Sequence, residues 1–145
     1  MLEFALLAPV FAAFLAGFAG VSMTFVRTMQ ADQLCRKAVQ MATAGADFDQ
    51  DPVKDQIYSL YGGEALQDRR GVLYVTHIVR DAAGYRKHQF FGIGRVNRWT
   101  STADSPEDVI HLEPGEDAWV AEVWFENDSI LSNITPKELH SRSVR

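Results

Sequence analysis

The sequence predicts an α+β fold in which a long amino-terminal hydrophobic α-helix, the stem, packs on a small antiparallel β-sheet head. The apolar run Phe4–Val26 carries no charge and has membrane length. The segment Arg27–Ala44 has no Gly or Pro, so the helix continues through it. Residues 71–96 and 118–125 are rich in β-branched and aromatic side chains, which favour strands. We therefore divide the chain into a hydrophobic helix (1–26), its amphipathic continuation (27–46) and a globular α+β head (47–145).

The composition bounds the class of protein. The chain has 145 residues and a formal net charge of −5, and all 14 Lys and Arg lie at or after Arg27. Every acid except Glu3 also lies beyond that point. There is no basic surplus of the kind that binds nucleic acid, so we expect no nucleic-acid partner. Cys35 is the only cysteine, which excludes an intramolecular disulfide, and we expect it to be a small core residue.

The apolar run is long enough to cross a membrane. As an α-helix at about 1.5 Å per residue it spans roughly 35 Å, against a hydrocarbon core roughly 30 Å thick. A secretory signal peptide is the alternative, since Gly17-Phe18-Ala19 resembles a cleavage site. The run is too long for one, however, and no Lys or Arg precedes it. The positive-inside rule would make the head cytosolic unless a basic leader once preceded Met1, and the residues alone leave both open.

Two repeats inside the run predict that the helix packs against other helices. Phenylalanine recurs every seven residues, and small side chains recur every four. The first set is Phe4, Phe11, Phe18 and Phe25, and the second is Ala8, Ala12, Ala16, Gly20 and Thr24. Small residues at this spacing allow helices to approach closely, and adjacent aromatic side chains suit packing against copies of the same helix. Chance spacing in an Ala- and Phe-rich span is the alternative.

Two residues depart from a simple lipid-facing helix. Pro9 lacks an N–H and its ring presses on the carbonyl of Ala5, which predicts a kink. Glu3 is an acid that directly precedes the apolar run. An unpaired carboxylate in lipid is energetically costly, so Glu3 is a candidate functional residue. The alternative is that Glu3 sits harmlessly among the headgroups, at the positive end of the helix dipole.

The stretch "EFALLAPVFAAFLAGF" resembles the amino terminus of tight-adherence minor pilins, the TadE-like branch of the type IV pilin-like proteins. Leu2-Glu3-Phe4-Ala5-Leu6 and Pro9 match that family's Val/Leu-Glu-Phe-Ala-Leu hallmark, nearby proline and long apolar helix. The stretch "VAEVWFENDSILSNITPKELHSRSVR" is similar to the family's closing pattern of a strand, a Thr-Pro loop and a last strand. In the family the glutamate stands a little further from the processing site than Glu3 stands from Met1, and residues 50–110 carry no resemblance.

The resemblance implies a precursor whose basic leader is removed by a prepilin peptidase at the cytoplasmic face, which places the head outside. It also implies that Glu3 meets the amino-terminal ammonium of a neighbouring subunit, since two buried opposite charges offset each other's desolvation. The implied partners are other copies in a helical homopolymer, the inner membrane before assembly and the pilus assembly machinery. The residues expected to carry subunit assembly are Glu3, Phe4, Ala8, Pro9, Phe11, Ala12, Ala16, Phe18, Gly20 and Phe25.

The segment after the long helix has two interpretations. Asp47, Asp49 and Asp51 resemble the start of a calcium loop, but the EF-hand positions that need Gly and Glu hold Pro and Tyr. We prefer Asp51 as the cap of a short helix that begins at Pro52 and ends at Gly62-Gly63.

The rest of the head is expected to be mainly antiparallel sheet, after one helix over about residues 3–45. Alternating apolar residues and turn signals define the strands. They are Val72–Arg80 and Tyr85–Phe91, joined by the turn "DAAG"; Val109–Leu112 and Ala118–Phe125, joined by "EPGED"; and Leu139–Val144. The segment "NRWTSTADSPEDV" is expected to be loop.

No catalytic, cofactor or metal site is predicted. The sequence lacks Gly-x-Ser-x-Gly, His-Glu-x-x-His and phosphate-binding glycine loops, and its histidines share no ligand spacing. Asn127 and Asn133 fit glycosylation sequons, whose use the sequence leaves open. The leading hypothesis is a non-enzymatic structural subunit of an extracellular pilin-like (Tad-type) fimbrium for cell adhesion, inserted in the cytoplasmic membrane before assembly. The alternative is a single-pass membrane-anchored extracytoplasmic binding domain that does not polymerise.

Overall fold

A computed structural model describes the backbone of residues 2–127 and 137–145 and the side chains of residues 7–127 and 137–145. The predicted α+β architecture, a long helix against an antiparallel sheet, is confirmed. In chain order the described elements are α1 (Leu2–Thr43), α2 (Asp51–Ser59), α3 (Gly63–Gln67), β1 (Gly71–Asp81), β2 (Gly84–Gly94), a 3₁₀ turn (Thr102–Asp104), α4 (Pro106–Val109), β3 (Asp117–Glu126) and β4 (Glu138–Val144).

α1 is a single helix of 42 residues, which at about 1.5 Å per residue makes it about 60 Å long. It continues through Pro9, although that residue cannot donate a backbone hydrogen bond. Its carboxyl-terminal half buries a row of small and aliphatic side chains against β3 and β4, including Ala31, Leu34 and Ala38. The helix ends at Thr43, two residues before the predicted end.

The four strands form one antiparallel sheet in the order β2-β1-β3-β4. The predicted hairpin of β1 and β2 is confirmed, with a bulge between His77 and Ile78, and so is the last strand, β4. α1 lies on one face of the sheet, across β3 and β4. Residues 95–112 cover the opposite face, which we call the back of the sheet, where Trp99 and Ala103 are buried against it.

The main core lies between α1 and the sheet. Leu34 and Cys35 from the helix pack with Leu73, Val75 and Val123 from the strands, and all five are at most 1% exposed. Burial of these side chains is the dominant favourable term in folding such a domain. The expectation that Cys35 is a core residue is confirmed.

The predicted strand Val109–Leu112 and its hairpin with β3 are wrong. These residues fall in α4 and in irregular chain. β3 has no free edge for a further strand, because β1 and β4 occupy both. The apolar side chains of the segment instead pack with Ile78, Ala118 and Val120 on the back of the sheet.

The predicted cap at Asp51 is also wrong. Asp51 is already helical, and the preceding glutamine takes the cap position without a side-chain hydrogen bond. The Asp51 carboxylate instead lies 3.9 Å from the ammonium of Lys54, one turn along α2. The helix ends at Ser59 rather than at Gly62-Gly63, because Leu60 adopts an extended backbone and packs against the main core. A separate short helix, α3, follows.

Candidate assembly site

The amino-terminal half of α1 is an exposed apolar stem, which we define as Leu7–Val26. Phe11, Phe14 and Phe18 are 65%, 73% and 68% exposed. Among the described elements, α1 alone is long and apolar enough to cross a membrane, by length and composition. Soluble monomers rarely expose apolar surface on this scale, so the stem needs lipid or other protein around it.

The stem has two different sides. With about 100° of rotation per residue, an α-helix places Phe18 and Phe25 roughly 120–140° away from Ala31, which faces the head. The phenylalanine stripe therefore runs along the side that is turned away from the head. The ridge of small residues rotates by about 40° at each four-residue step, so it turns towards the head-facing side between Ala8 and Gly20.

The structure places the residues predicted to carry assembly in three groups. Those exposed on the stem are Ala8, Pro9, Phe11, Ala12, Ala16, Phe18 and Phe25. Gly20 is buried within the chain, and its carbonyl accepts a hydrogen bond of 3.0 Å from the Thr24 hydroxyl. The side chains of Glu3 and Phe4 lie outside the described residues. The small residues open to another helix are therefore the three alanines of the ridge.

Polar contacts join the stem to the head at Thr24, Arg27 and Asn127. The Arg27 guanidinium donates to the carbonyl of Glu126 and to Oδ1 of Asn127, each at 3.5 Å. The Asn127 amide nitrogen donates to the Thr24 hydroxyl, also at 3.5 Å. Asn127 is only 5% exposed, so its amide serves this junction in the folded head. The second sequon, at Asn133, lies outside the described residues.

A buried carboxylate, which the sequence analysis missed, fixes the segment on the back of the sheet. Glu122 in β3 is 0% exposed and accepts hydrogen bonds from the hydroxyls of Ser101 and Thr102. The Ala103 N–H lies 3.4 Å from its Oε2, and Nε2 of His140 lies 3.6 Å from its Oε1. Burial alone would raise the pKa of Glu122, but hydrogen bonds from these four partners outweigh it and lower the pKa to about 2.

A signal for this carboxylate was present in the sequence. Glu122 is the one charged residue in the stretch Ala118–Phe125, which is otherwise apolar on both faces. An acid in such a strand needs internal partners, because an unpaired buried charge is costly. Tyr74 in β1 also holds the segment 95–112 on the back of the sheet. Its hydroxyl lies 2.5 Å from the carbonyl oxygens of Val96 and Trp99.

The polar clusters of the head make structural contacts. Within the described residues, no group of three His, Cys, Asp or Glu side chains is placed to hold a metal ion. The carboxylate of Asp47 accepts hydrogen bonds from the Asp49 N–H at 3.1 Å and the Gln50 side chain at 3.2 Å, and so shapes the turn after α1. His77 stacks on Trp119 at 4.5 Å between ring centroids.

No protein-family model, no curated protein and no solved structure matches the chain.

Proposed function

We propose that the chain is a structural subunit of an extracellular type IV pilin-like filament of the tight-adherence (Tad) type, anchored in the cytoplasmic membrane before assembly. The observation that supports this most strongly is the exposed apolar stem Leu7–Val26, which is continuous with the helix that forms one layer of the head. Such a helix is stable in lipid before assembly and among the stems of other copies afterwards. The proposed role is non-enzymatic and involves no nucleic acid.

The two-sided stem favours a polymer over a simple lipid anchor. Bulky rings at Phe11 and Phe18 lie on one side, while Ala8, Ala12 and Ala16 leave a shallow surface beside them. The protruding side of one helix fits the shallow side of the next. A contact between two different surfaces is heterologous, and it generates an open filament when the rotation from copy to copy does not close a ring. A helix that meets only lipid has no need of such a difference between its sides.

The resemblance to TadE-like pilins supplies the remaining partners of the proposal. A prepilin peptidase would remove a leader, and the pilus assembly machinery would extract the subunit from the membrane. Glu3 would then pair with the free amino-terminal ammonium of a neighbouring copy, which offsets the cost of burying either charge in an apolar filament core.

A single-pass membrane-anchored binding domain is the second candidate. A specific observation favours it: an open cleft of about 580 Å³ lies at the end of the head furthest from the stem. Asp49, Gln89, Phe91 and Trp119 contribute to its walls. Ligand-binding clefts of proteins commonly have volumes in this range. On this candidate the stem is an anchor and nothing more.

Electron microscopy of sheared cell-surface material separates the two candidates. We expect thin filaments that contain the full-length chain, and a mature amino terminus, read by mass spectrometry, that starts close to Glu3. A chain that stays entirely in the membrane fraction of cells carrying a complete assembly machinery, with no filaments, would favour the anchored binding domain.

A further inference from the structure

The cleft at the end of the head furthest from the stem has the chemistry of a site for a basic group. It lies between the turn that follows α1 and the adjoining parts of β2 and β3. The rings of Phe91 and Trp119 line it together with the amide of Gln89 and the carboxylates of Asp47 and Asp49. Aromatic faces and carboxylates both attract ammonium and guanidinium groups.

Asp49 is the carboxylate of the cleft that remains available. Asp47 is already engaged, because its two oxygens accept hydrogen bonds within the turn. Asp49 uses its backbone carbonyl to accept a hydrogen bond of 2.8 Å from Lys54, but its side chain makes no hydrogen bond or ion pair with any described residue. The exposed side chain of Gln89 is equally uncommitted within the described part of the chain. An unpaired carboxylate beside aromatic rings favours a basic partner.

The opposite end of the same head, which we call the base, carries exposed basic side chains. β1 begins at the base, and its residues Val75 and His77 pair with Phe91 and Trp119 of the cleft. Four to six residues at about 3.3 Å each therefore separate the base from the cleft along the strand, roughly 13–20 Å. The exposed basic residues there are Arg69, Arg70, Arg95, Arg98 and Lys137. Arg70 pairs with Asp68 at 2.9 Å. Arg95 and Arg98 pair with Glu126. Arg69 lies in the turn before β1 and forms no ion pair with any described residue.

We propose that the cleft of one copy receives the base of the next copy, with Arg69 facing Asp49, in a head-to-tail contact between subunits. This inference rests on the proposed function, because a filament is what supplies a neighbour along the long axis of the head. The two surfaces differ, so a head-to-tail contact between them is heterologous and repeats with each subunit when the rotation between copies does not close a ring. Complementary charge sets the direction and register of such a contact.

Thiol cross-linking of the full-length chain in cells with the assembly machinery tests the contact. The chain with both Asp49→Cys and Arg69→Cys should form a covalent ladder with a short bifunctional thiol reagent. A reagent is needed because an Asp–Arg contact holds the two backbones too far apart for a direct disulfide. Each single variant should remain monomeric, and the two single variants expressed together should give one cross-linked pair. Cys35 adds no background, since it is 0% exposed.

The matched control combines Arg69→Cys with Gln56→Cys, which is exposed on α2 and lies away from the cleft. It should give no ladder. A charge reversal provides an independent measurement. Asp49→Arg should lower filament yield several-fold, and adding Arg69→Asp should restore it, while Asp55→Arg, also exposed on α2, should leave the yield unchanged.

The outcomes separate this contact from the proposed function. A ladder from the Asp49 and Arg69 pair alone supports both. Filaments that form normally with no ladder, and that tolerate Asp49→Arg, overturn the contact and leave the proposed function standing. Cross-linked pairs in membranes without filaments keep the contact and overturn the filament. A double variant that stops at a cross-linked dimer, or homodimers from either single variant, indicates a twofold contact and overturns the head-to-tail arrangement. The absence of both cross-links and filaments overturns both proposals.

Discussion

The thiol of Cys35 donates a hydrogen bond of 3.2 Å to the carbonyl oxygen of Ser141. This contact joins α1 to the edge strand β4 in the middle of the main core. Leu34 and Ala38, on either side of Cys35 along the helix, are also buried. The helix that carries the exposed stem is thus held in the head by its other half, and the state of this interface reports on the fold as a whole.

Cys35 should resist alkylation as long as the head is folded. Its side chain is fully buried, so a thiol reagent reaches it only after the helix leaves the sheet. Labelling is measured by mass spectrometry on the full-length chain in detergent micelles, with and without urea. Gln33→Cys, exposed two residues earlier on α1, is the control and should be labelled at once without urea. Equal labelling of both thiols in the folded chain would contradict the packing of α1 on the sheet.

Protonation of Glu122 should lower the free energy of unfolding of the head in acid. Its pKa of about 2 in the folded chain lies below the usual 4.5, so the ionised carboxylate stabilises the fold above about pH 4.5. That stabilisation is lost as the pH falls from 4.5 towards 2, and it amounts to at most about 3 kcal/mol. Urea unfolding across this range should show the wild type losing more stability than Glu122→Gln.

The matched control for this measurement is Glu107→Gln, an exposed glutamate of α4. It should follow the wild-type pH dependence and keep the wild-type stability at neutral pH. Glu122→Gln should already be destabilised at neutral pH, by about 1–3 kcal/mol, because it removes the charge that its buried donors are arranged to meet. If the stability of wild type and of Glu122→Gln fell with pH in the same way, the Glu122 carboxylate would not be the cause of the loss of stability in acid.

Gly94→Ala should destabilise the head more than Gly115→Ala, although the two glycines have nearly the same backbone φ, +98° and +96°. Alanine in this left-handed region costs about 1–2 kcal/mol at either position. At Gly94 the added Cβ would also lie 2.5 Å from the carbonyl oxygen of Gly71, whereas at Gly115 it meets nothing within 4 Å. Urea unfolding of the two variants measures the difference. If the two variants lost the same free energy of unfolding, the end of β2 would have to move away from β1 without cost.

Ala12→Leu and Ala16→Leu should abolish filaments while leaving membrane insertion intact. Leucine is more hydrophobic, so insertion is at least as favourable. The larger side chains force neighbouring stems apart, at about 1–3 kcal/mol per site, and the cost recurs at every subunit. Filament yield and abundance in membranes are compared with those of Leu7→Ile, a nearly isosteric change on the phenylalanine side. Normal filaments from both alanine variants would mean that the four-residue spacing is accidental.

Glu3→Gln should insert into membranes normally but assemble poorly. Insertion is preserved because the substitution removes a charge, and assembly suffers if Glu3 neutralises a neighbour's amino terminus. Immunoblots of sheared filaments and of membranes measure the two properties separately. Wild-type filament yield from this variant would rule out the pairing role.

Local patterns made most of the fold predictable. α1 follows from a membrane-length apolar run that continues into a segment, Arg27–Ala44, without Gly or Pro. The β1–β2 hairpin follows from alternation around "DAAG". The prediction of a strand at Val109–Leu112 was wrong because a short apolar stretch can form a strand or can pack, as an irregular segment, on the face of a sheet. The partners of Glu122 at residues 101–103 lie about 20 positions earlier in the chain, and only the tertiary fold brings them together.

The stem was predictable as an apolar helix, but its boundary with the head was not. The spacing of four continues from Ala16 through Gly20 to Thr24 without interruption. Gly20 is nevertheless buried in the chain, whereas the alanines before it are exposed. A rotation of about 40° per step turns one continuous ridge from an open surface into an internal one. The Asn127 side chain meets the stem one turn further along, at Thr24, and nothing in the spacing of the stem residues marks that position.

The continuity of α1 has a mechanical consequence. A pull along the stem enters the head through the helix axis and is passed to β3 and β4 by contacts spread along the helix, from Arg27 at Glu126 to Cys35 at Ser141. The helix runs alongside these strands, so such a pull acts as shear across the whole interface instead of peeling it apart one contact at a time. In a fibre built from these subunits, tension would be borne by many side chains at once, and rupture would require the buried face of α1 to slide as a unit.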